Sequence, residues 1–227
     1  MQNTFSIAID GPAGAGKSTI AKALASALDV MYLDTGAMYR AVGLYMTRAG
    51  VPLSDPKAIA AHVGEADVNV TYDHGAQRIL LGDEDVSLAI REPEISLAAS
   101  QVSAVAEVRE RMVDLQRRIA RGHSVVMDGR DIGTHVLPDA TLKVYLTASA
   151  EVRAQRRCKE LESKGMSEPY EKVLEEMLAR DYQDMHREVS PLRPAEDARH
   201  VDSSYMTQDE VVNAIRALLD EALARRS

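Results

Sequence analysis

Short apolar runs alternate along this chain with longer stretches whose apolar residues recur at helical spacing. The first run, Phe5 to Ile9, stops at Asp10 and passes into a glycine-rich segment. Ile20, Leu24 and Leu28 then recur at every fourth position, so the order reads strand, loop, helix. Met31 to Leu33 predicts a second short strand, and Ala37 to Thr47 a helix. After Pro52 the texture changes. Asp55 to Glu65 predicts a helix, and Val68 to Tyr72, Arg78 to Leu81 and a piece near Val86 predict strands, with Asp73-His74-Gly75 as a turn. Strands joined by tight turns imply a small antiparallel insertion. Val105, Val108, Met112, Leu115 and Ile119 make a helical stripe that Gly122 ends.

Ser124 to Met127, closed by Asp128, and Thr141 to Leu146 predict further strands. Ala148 to Arg187 is charged and helical, interrupted at Gly165 and Pro169, and Arg199 to Val201 predicts a last strand. Thr207 and Glu210 form a capping box ahead of Val211, Val212, Ile215, Leu218 and Leu219. Strands alternating with helices predict an α/β fold on a parallel sheet, with one antiparallel insertion and one helical excursion.

Length and composition narrow the field. A chain of 227 residues suits one large domain, or a domain with an insertion. Asp and Glu outnumber Lys and Arg by 35 to 27, a net charge of −8, which argues against a protein that coats nucleic acid. Aromatics make up 4% with no Trp, so base-stacking platforms are not expected. One cysteine, Cys158, cannot build a disulfide framework or a Cys-rich zinc site. Met1 to Ile9 lacks a basic leader, and no run approaches membrane-spanning length. The expectation is a monomeric cytoplasmic protein with small-molecule substrates, bound to neither nucleic acid nor membrane.

The glycine segment carries the chemistry. Gly11-Pro12-Ala13-Gly14-Ala15-Gly16-Lys17-Ser18-Thr19 fits the phosphate-binding pattern G-x4-G-K-S. Its glycines let backbone N–H groups curl inward, and the following helix adds its positive end. Lys17 is placed for the β- and γ-phosphates of a nucleotide such as ATP, and the Ser18 hydroxyl for Mg²⁺. Asp128, ending an apolar strand, is either the acid associated with Mg²⁺ or a cap on a turn.

Three classes use such a loop. A GTPase should carry Asn-Lys-x-Asp, which is absent. A motor or transporter ATPase needs extra signature segments, and none is evident. A small-molecule kinase needs cations for the acceptor and a helical lid against water. Arg40 and Arg130 supply cations, as do Arg180 and Arg187. Arg180, Asp184 and Arg187 fall at i, i+4 and i+7, on one helix face expected to be solvated when empty. A kinase of another acceptor and a non-catalytic nucleotide-binding module remain the rival readings.

Five blocks together are more specific than the loop. They are Ile9 to Thr19, Leu33-Asp34-Thr35-Gly36-Ala37-Met38-Tyr39-Arg40, Ala99 to Ser103, Asp128-Gly129-Arg130-Asp131-Ile132-Gly133-Thr134, and Arg180 to Arg187. In these blocks the chain resembles the bacterial cytidylate kinases along essentially its whole length. That resemblance implies transfer of the γ-phosphoryl group of ATP to CMP or dCMP with Mg²⁺. It implies the five-stranded parallel sheet of P-loop nucleoside monophosphate kinases, with a core at about 1–50, 122–150 and 190–227. The nucleotide-binding insertion would span about 51–121, and the lid about 151–189.

Residue by residue, the resemblance makes Arg40, Arg130 and Arg187 ligands of the acceptor phosphate, with Lys17, Arg130 and Arg187 catalytic. Ser100, Arg109 and Asp131 would read cytosine, and Arg180 and Asp184 would meet the sugar. Thr35, Tyr39, Asp128 and Gly129 would complete the CMP set. Asp131 has a second reading, as the partner that orients Arg130. The acceptor phosphate is already ionised, so no general base is assigned. Arg153, Arg156 and Arg157 form a basic helix face of which at least one is expected to contact the donor. The six histidines read as surface or packing residues, Cys158 as a spectator, and Asp83-Glu84-Asp85 as a solvated turn.

Overall fold

The computed structural model describes residues 4–163 and 165–225. Met1–Asn3, Lys164, Arg226 and Ser227, which fall in the spans expected for core and lid, lie outside the described residues. The chain divides into two compact units, residues 1–30 with 124–227, and residues 31–123.

The first unit is built around β1 (Ser6–Asp10). It pairs in parallel with β6 (Val125–Gly129) on one side and β7 (Leu142–Thr147) on the other, and β7 pairs in parallel with β8 (Arg199–Asp202). Ile7, Ala8 and Ile9 are fully buried, as are Val125, Val126 and Met127. A parallel sheet is covered on both faces, so its strands are runs of apolar residues rather than alternations. Helix α1 (Lys17–Leu28) packs on β6 and on α8 (Gln208–Ala224), burying Ile20 and Leu24. The capping box of α8 is present: Thr207 N donates to Glu210 Oε2 at 2.8 Å, and Glu210 N to Thr207 Oγ1 at 3.3 Å. The helical excursion is a hairpin of α6 (Ala150–Ser163) and α7 (Tyr170–His186), packed through Ala154, Leu161 and Val173.

The second unit opens with β2 (Met31–Asp34), the fifth strand of the parallel sheet, whose order is β2-β6-β1-β7-β8. Asp34 caps α2 (Thr35–Arg48), its Oδ1 accepting from Ala37 N at 2.9 Å. Asp55 caps α3 (Pro56–His62), with proline at the first helical position, where its missing N–H costs nothing. The antiparallel sheet is β3 (Val68–Asp73), β4 (Ala76–Leu81) and β5 (Glu84–Asp85), turning at His74-Gly75. The expected insertion thus lies inside this unit, which also takes in β2 and α2.

Two readings need correction here. The acidic run is exposed, as expected, but only Asp83 lies in the turn: Glu84 and Asp85 form β5, and Glu84 accepts a two-pronged bond from Arg48, at 2.6 and 2.9 Å. A helix that the pattern reading does not assign, α4 (Pro93–Val102), precedes α5 (Ala106–Ala120). It buries Ile95, Ala98, Ala99 and Val102 and packs on α2 at Gly43, where a Cβ would stand 3.0 Å from Ala98 Cβ.

Gly11 is the tightest point of the fold. Its φ is +150°, and a Cβ there would sit 1.9 Å from the Leu146 carbonyl oxygen. Gly11→Ala is therefore expected to cost at least about 2–4 kcal/mol, a fall in melting temperature of about 4 °C or more. Gly50→Ala is the control, since Gly50 also has positive φ but open space around it; its cost should be about 1–2 kcal/mol. Calorimetry showing equal losses for both would remove the steric account.

Candidate active site

The phosphate loop leaves β1 at Asp10 and enters α1 through Gly16, whose φ of +86° would strain any other residue. Gly16 brings no side-chain cap and the first turn of α1 holds no acid, so the helix start is shaped for an outside anion. Lys17 is buried and its Nζ donates to Pro12 O at 2.7 Å, within the loop. Burial, then the charge of Arg130, pushes its pKa down to about 7. Ser18 Oγ donates to Asp128 Oδ2 at 2.8 Å. This pairing brings a loop hydroxyl and the acid near the end of β6 to one point.

Asp10 is a residue the sequence reading passes over. Its carboxylate is buried, with Oδ1 accepting from Ile132 N at 2.8 Å and Oδ2 from Gly133 N at 2.7 Å. Burial raises its pKa to about 6 against the lowering effect of those two bonds. The residues it grips start a π-helical turn, Ile132–Val136, that directly follows Arg130 and Asp131.

In the same unit, Arg130 and Arg187 meet carboxylates. Arg130 Nε donates to Asp184 Oδ2 at 2.7 Å, and Arg187 lies 3.6 Å from Asp131 Oδ1. The orienting partner of Arg130 is therefore Asp184, not Asp131. Burial opposes ionisation of Asp184, but Arg130, Arg180 and Arg187 together hold its pKa below the ordinary carboxylate value. The single helix face is corrected in two respects. Helix α7 stops at His186, and Arg187 sits in extended geometry with Nε donating to Ser190 O at 2.7 Å. Nor is the face solvated, because Asp181, Asp184 and the Arg187 side chain are buried.

The basic residues of α6 divide. Arg153 is buried and donates from Nε to Ala148 O and from Nη1 to Ala13 O, both at 2.9 Å, while Nη1 meets Asp181 Oδ2 at 2.7 Å. It braces the phosphate loop from outside. A Cβ on Gly14 would stand 3.3 Å from Arg153 Cβ and 3.0 Å from Met177 Cε, so the hairpin rests on the loop. Arg156 is bound to Ser203, and Arg157 pairs with Glu160. Asp181, too, has no signal in the sequence reading beyond its place beside Arg180.

The second unit gathers Thr35, Tyr39, Arg40, Ser100 and Arg109. Arg40 Nη2 donates to Asp34 Oδ2 at 3.1 Å, and Arg91 lies 3.6 Å from the same oxygen. Asp34 is fixed in turn by Gln77, which accepts from Asp34 N at 2.7 Å and donates to Asp34 O at 3.3 Å. Arg109 is almost fully buried, its guanidinium 5.5 Å from the centre of the Tyr39 ring and bonded to Ser103 O at 3.3 Å. Ser100 lies on α4 and its carbonyl accepts from Ser103 Oγ. Of the residues expected to read the base, this unit thus holds Ser100 on α4 and Arg109 on α5, with Tyr39 of α2 beside the Arg109 guanidinium.

Comparison with known proteins agrees with this chemistry. The family model described as cytidylate kinase matches residues 7–221. A cytidylate kinase of Caldicellulosiruptor bescii is 50% identical over 214 residues, covering 94% of this chain and 95% of that one. One from an Exiguobacterium species, strain AT1b, is 48% identical over 224 residues, covering 99% and 100%. Among solved structures, an uncharacterised protein from Eubacterium ventriosum aligns over 96% of this chain and 99% of its own, with a TM-score of 0.52 and 15% identity, a likeness of fold alone. With phosphate loop, paired Ser18 and Asp128, and guanidinium clusters all in place along a match that runs nearly end to end, the chain belongs to the cytidylate kinase family.

Proposed function

We propose that this protein transfers the γ-phosphoryl group of ATP to CMP or dCMP, giving ADP and CDP or dCDP for pyrimidine nucleotide metabolism. The observation that carries the reading is the phosphate loop with Lys17 inside it and Ser18 bonded to Asp128, in a chain of this family. We place the protein in the cytoplasm as a monomer acting on small molecules. Among the described residues no helix is long and apolar enough to cross a membrane.

Ser18 and Asp128 fit Mg²⁺, a hard cation that takes oxygen ligands and keeps several waters. Among the described residues no cluster of three His, Cys, Asp or Glu side chains surrounds them. A hydroxyl held by one carboxylate offers the hard oxygen donors that such an ion takes. When bound, the ion would be held by Ser18 and Asp128 and would supply positive charge to the phosphates of the donor. The protein's part is to hold the donor by loop N–H groups and Lys17, and to hold the acceptor phosphate by Arg40, Arg130 and Arg187. Guanidinium forks suit phosphate oxygens, which Lys matches less well. Carboxylates keep these forks oriented before the phosphate arrives: Asp34 for Arg40, Asp184 for Arg130 and Asp131 for Arg187. Arg180 and Asp184 are assigned to the sugar. Thr35, Tyr39, Asp128 and Gly129 line the acceptor set.

Asp131, Arg109 and Ser100 are assigned to the base. Cytosine offers an amino donor at N4 and acceptors at N3 and O2, so a carboxylate can accept and an arginine donate. Uracil would set a carbonyl against the carboxylate, a buried mismatch of about 1–3 kcal/mol. ADP release should therefore be stimulated by CMP and dCMP at least about tenfold over UMP in kcat/KM. No stimulation by any nucleoside monophosphate would overturn the proposal.

Lys17→Ala should lower the turnover number by about 100-fold or more while the protein stays folded, because the lysine acts on charge that develops in transfer. Near-normal turnover in the folded variant, shown by circular dichroism and a coupled assay, would exclude the loop. Asp131→Ala should reduce CMP turnover much more than UMP turnover and so flatten the preference. Since Asp131 also faces Arg187, some loss with both is expected. An equal factor for the two nucleotides, measured side by side, would leave Asp131 a partner of Arg187 and remove it from base reading.

A further inference from the structure

The carboxylate of Asp10 stands outside every role assigned above, yet it is 4% exposed in the middle of the sheet's carboxyl end. Strand-end carboxylates are ordinarily solvated. This one uses both oxygens on two consecutive backbone N–H groups, those of Ile132 and Gly133. Its own main chain continues directly into Gly11 and the phosphate loop. Strand register sets Asp10 beside Gly129, so the side chain spans from the end of β1 to the turn that follows β6. That turn carries Arg130 and Asp131 at its start.

We propose that Asp10 is a positioning residue for the transfer reaction, which holds the turn bearing Arg130 and Asp131 at a fixed place relative to the phosphate loop. The inference deepens the assignment of Arg130 and Asp131 to the acceptor and rests on it. One carboxylate joins donor and acceptor machinery: by a single peptide link to the loop, and by two hydrogen bonds to the turn. Asp alone supplies two acceptors at this length. Asn would turn an NH₂ toward one of the two N–H groups, leaving a buried donor against a donor. The surroundings leave little slack. A Cβ on Gly133 would lie 3.4 Å from Asp10 Oδ2 and 3.2 Å from the Lys143 side chain. In-line transfer is sensitive to such placement, and an error of about 1 Å can cost 100-fold in rate.

The test is Asp10→Asn, with CMP and ATP varied separately and Arg130→Ala run alongside. The expected result is a fall in kcat/KM for CMP of about 10–100-fold, with KM for ATP within about twofold of the parent protein. Gly133→Ala, which presses on the same bond from the other side through a flexible lysine stem, should show the same split in smaller measure. It decides alone if Asp10→Asn fails to fold. A purely structural role predicts loss of active protein in step with lowered melting temperature and unchanged KM values, and that outcome overturns the proposal. So does an equal rise in KM for both nucleotides, or CMP kinetics within twofold in both variants. Arg130→Ala separates the two levels. If it impairs CMP handling while the Asp10 and Gly133 variants do not, the positioning role alone falls. If it leaves CMP handling intact, the acceptor assignment falls and the positioning role with it.

Discussion

The pairing of guanidinium with carboxylate is the interaction on which this molecule depends. An enzyme that brings two polyanions together needs several cations in a confined space, and this chain buries the side chains of Arg153 and Arg187 and half-buries that of Arg130. A buried charge without a partner is very costly. Each of these arginines therefore lies against an aspartate: Asp184, Asp181 and Asp131 in turn. The second unit repeats the device with Arg40 and Asp34.

For the phosphate binding proposed above, such pairs would have a double effect. They would reduce the gain when a phosphate arrives, since a carboxylate must yield its place. They also hold the forks in one geometry beforehand, which removes the ordering cost from the binding step. The aspartates Asp181 and Asp184 both belong to α7, so the carboxylates that hold Arg153 and Arg130 come from the same helical hairpin that rests on the phosphate loop. A hairpin tied this way is held by ion pairs at both Arg153, which braces the loop, and Arg130.

The features legible in the sequence are those written in neighbouring residues. The phosphate loop, the capping box of Thr207 and Glu210, and the hairpin turn at His74-Gly75 each need only a few consecutive positions. The signals that failed are of two kinds. Helix α4 was present in the pattern, with Pro93 at its start and Ile95, Ala98, Ala99 and Val102 at helical spacing, but two of those positions are alanines, which mark a stripe weakly. The spacing of Arg180, Asp184 and Arg187 suggested one face, yet the helix stops one residue too soon and turns at Ser190, whose φ is +48°. Partners distant in sequence left no trace at all. Asp10 and Gly133 are 123 positions apart, and nothing local says that one holds the other.

The order of strands in the sheet has a consequence for how the chain comes into being. Strand β1 is central, and its neighbours are β6 and β7, with Ile7 beside Val126 on one side and Leu142 on the other. At synthesis rates of about 5–20 residues per second, roughly 7–27 seconds separate the making of β1 from the making of both its neighbours. Until then the first strand is an apolar segment without a sheet, and the glycine loop behind it has no wall to turn against. Residues 31–123, a compact unit complete in sequence, emerge in the interval. Contacts of this range also slow refolding of the finished chain. The glycine loop is thus translated before either neighbour of β1 and is among the last parts to take its shape.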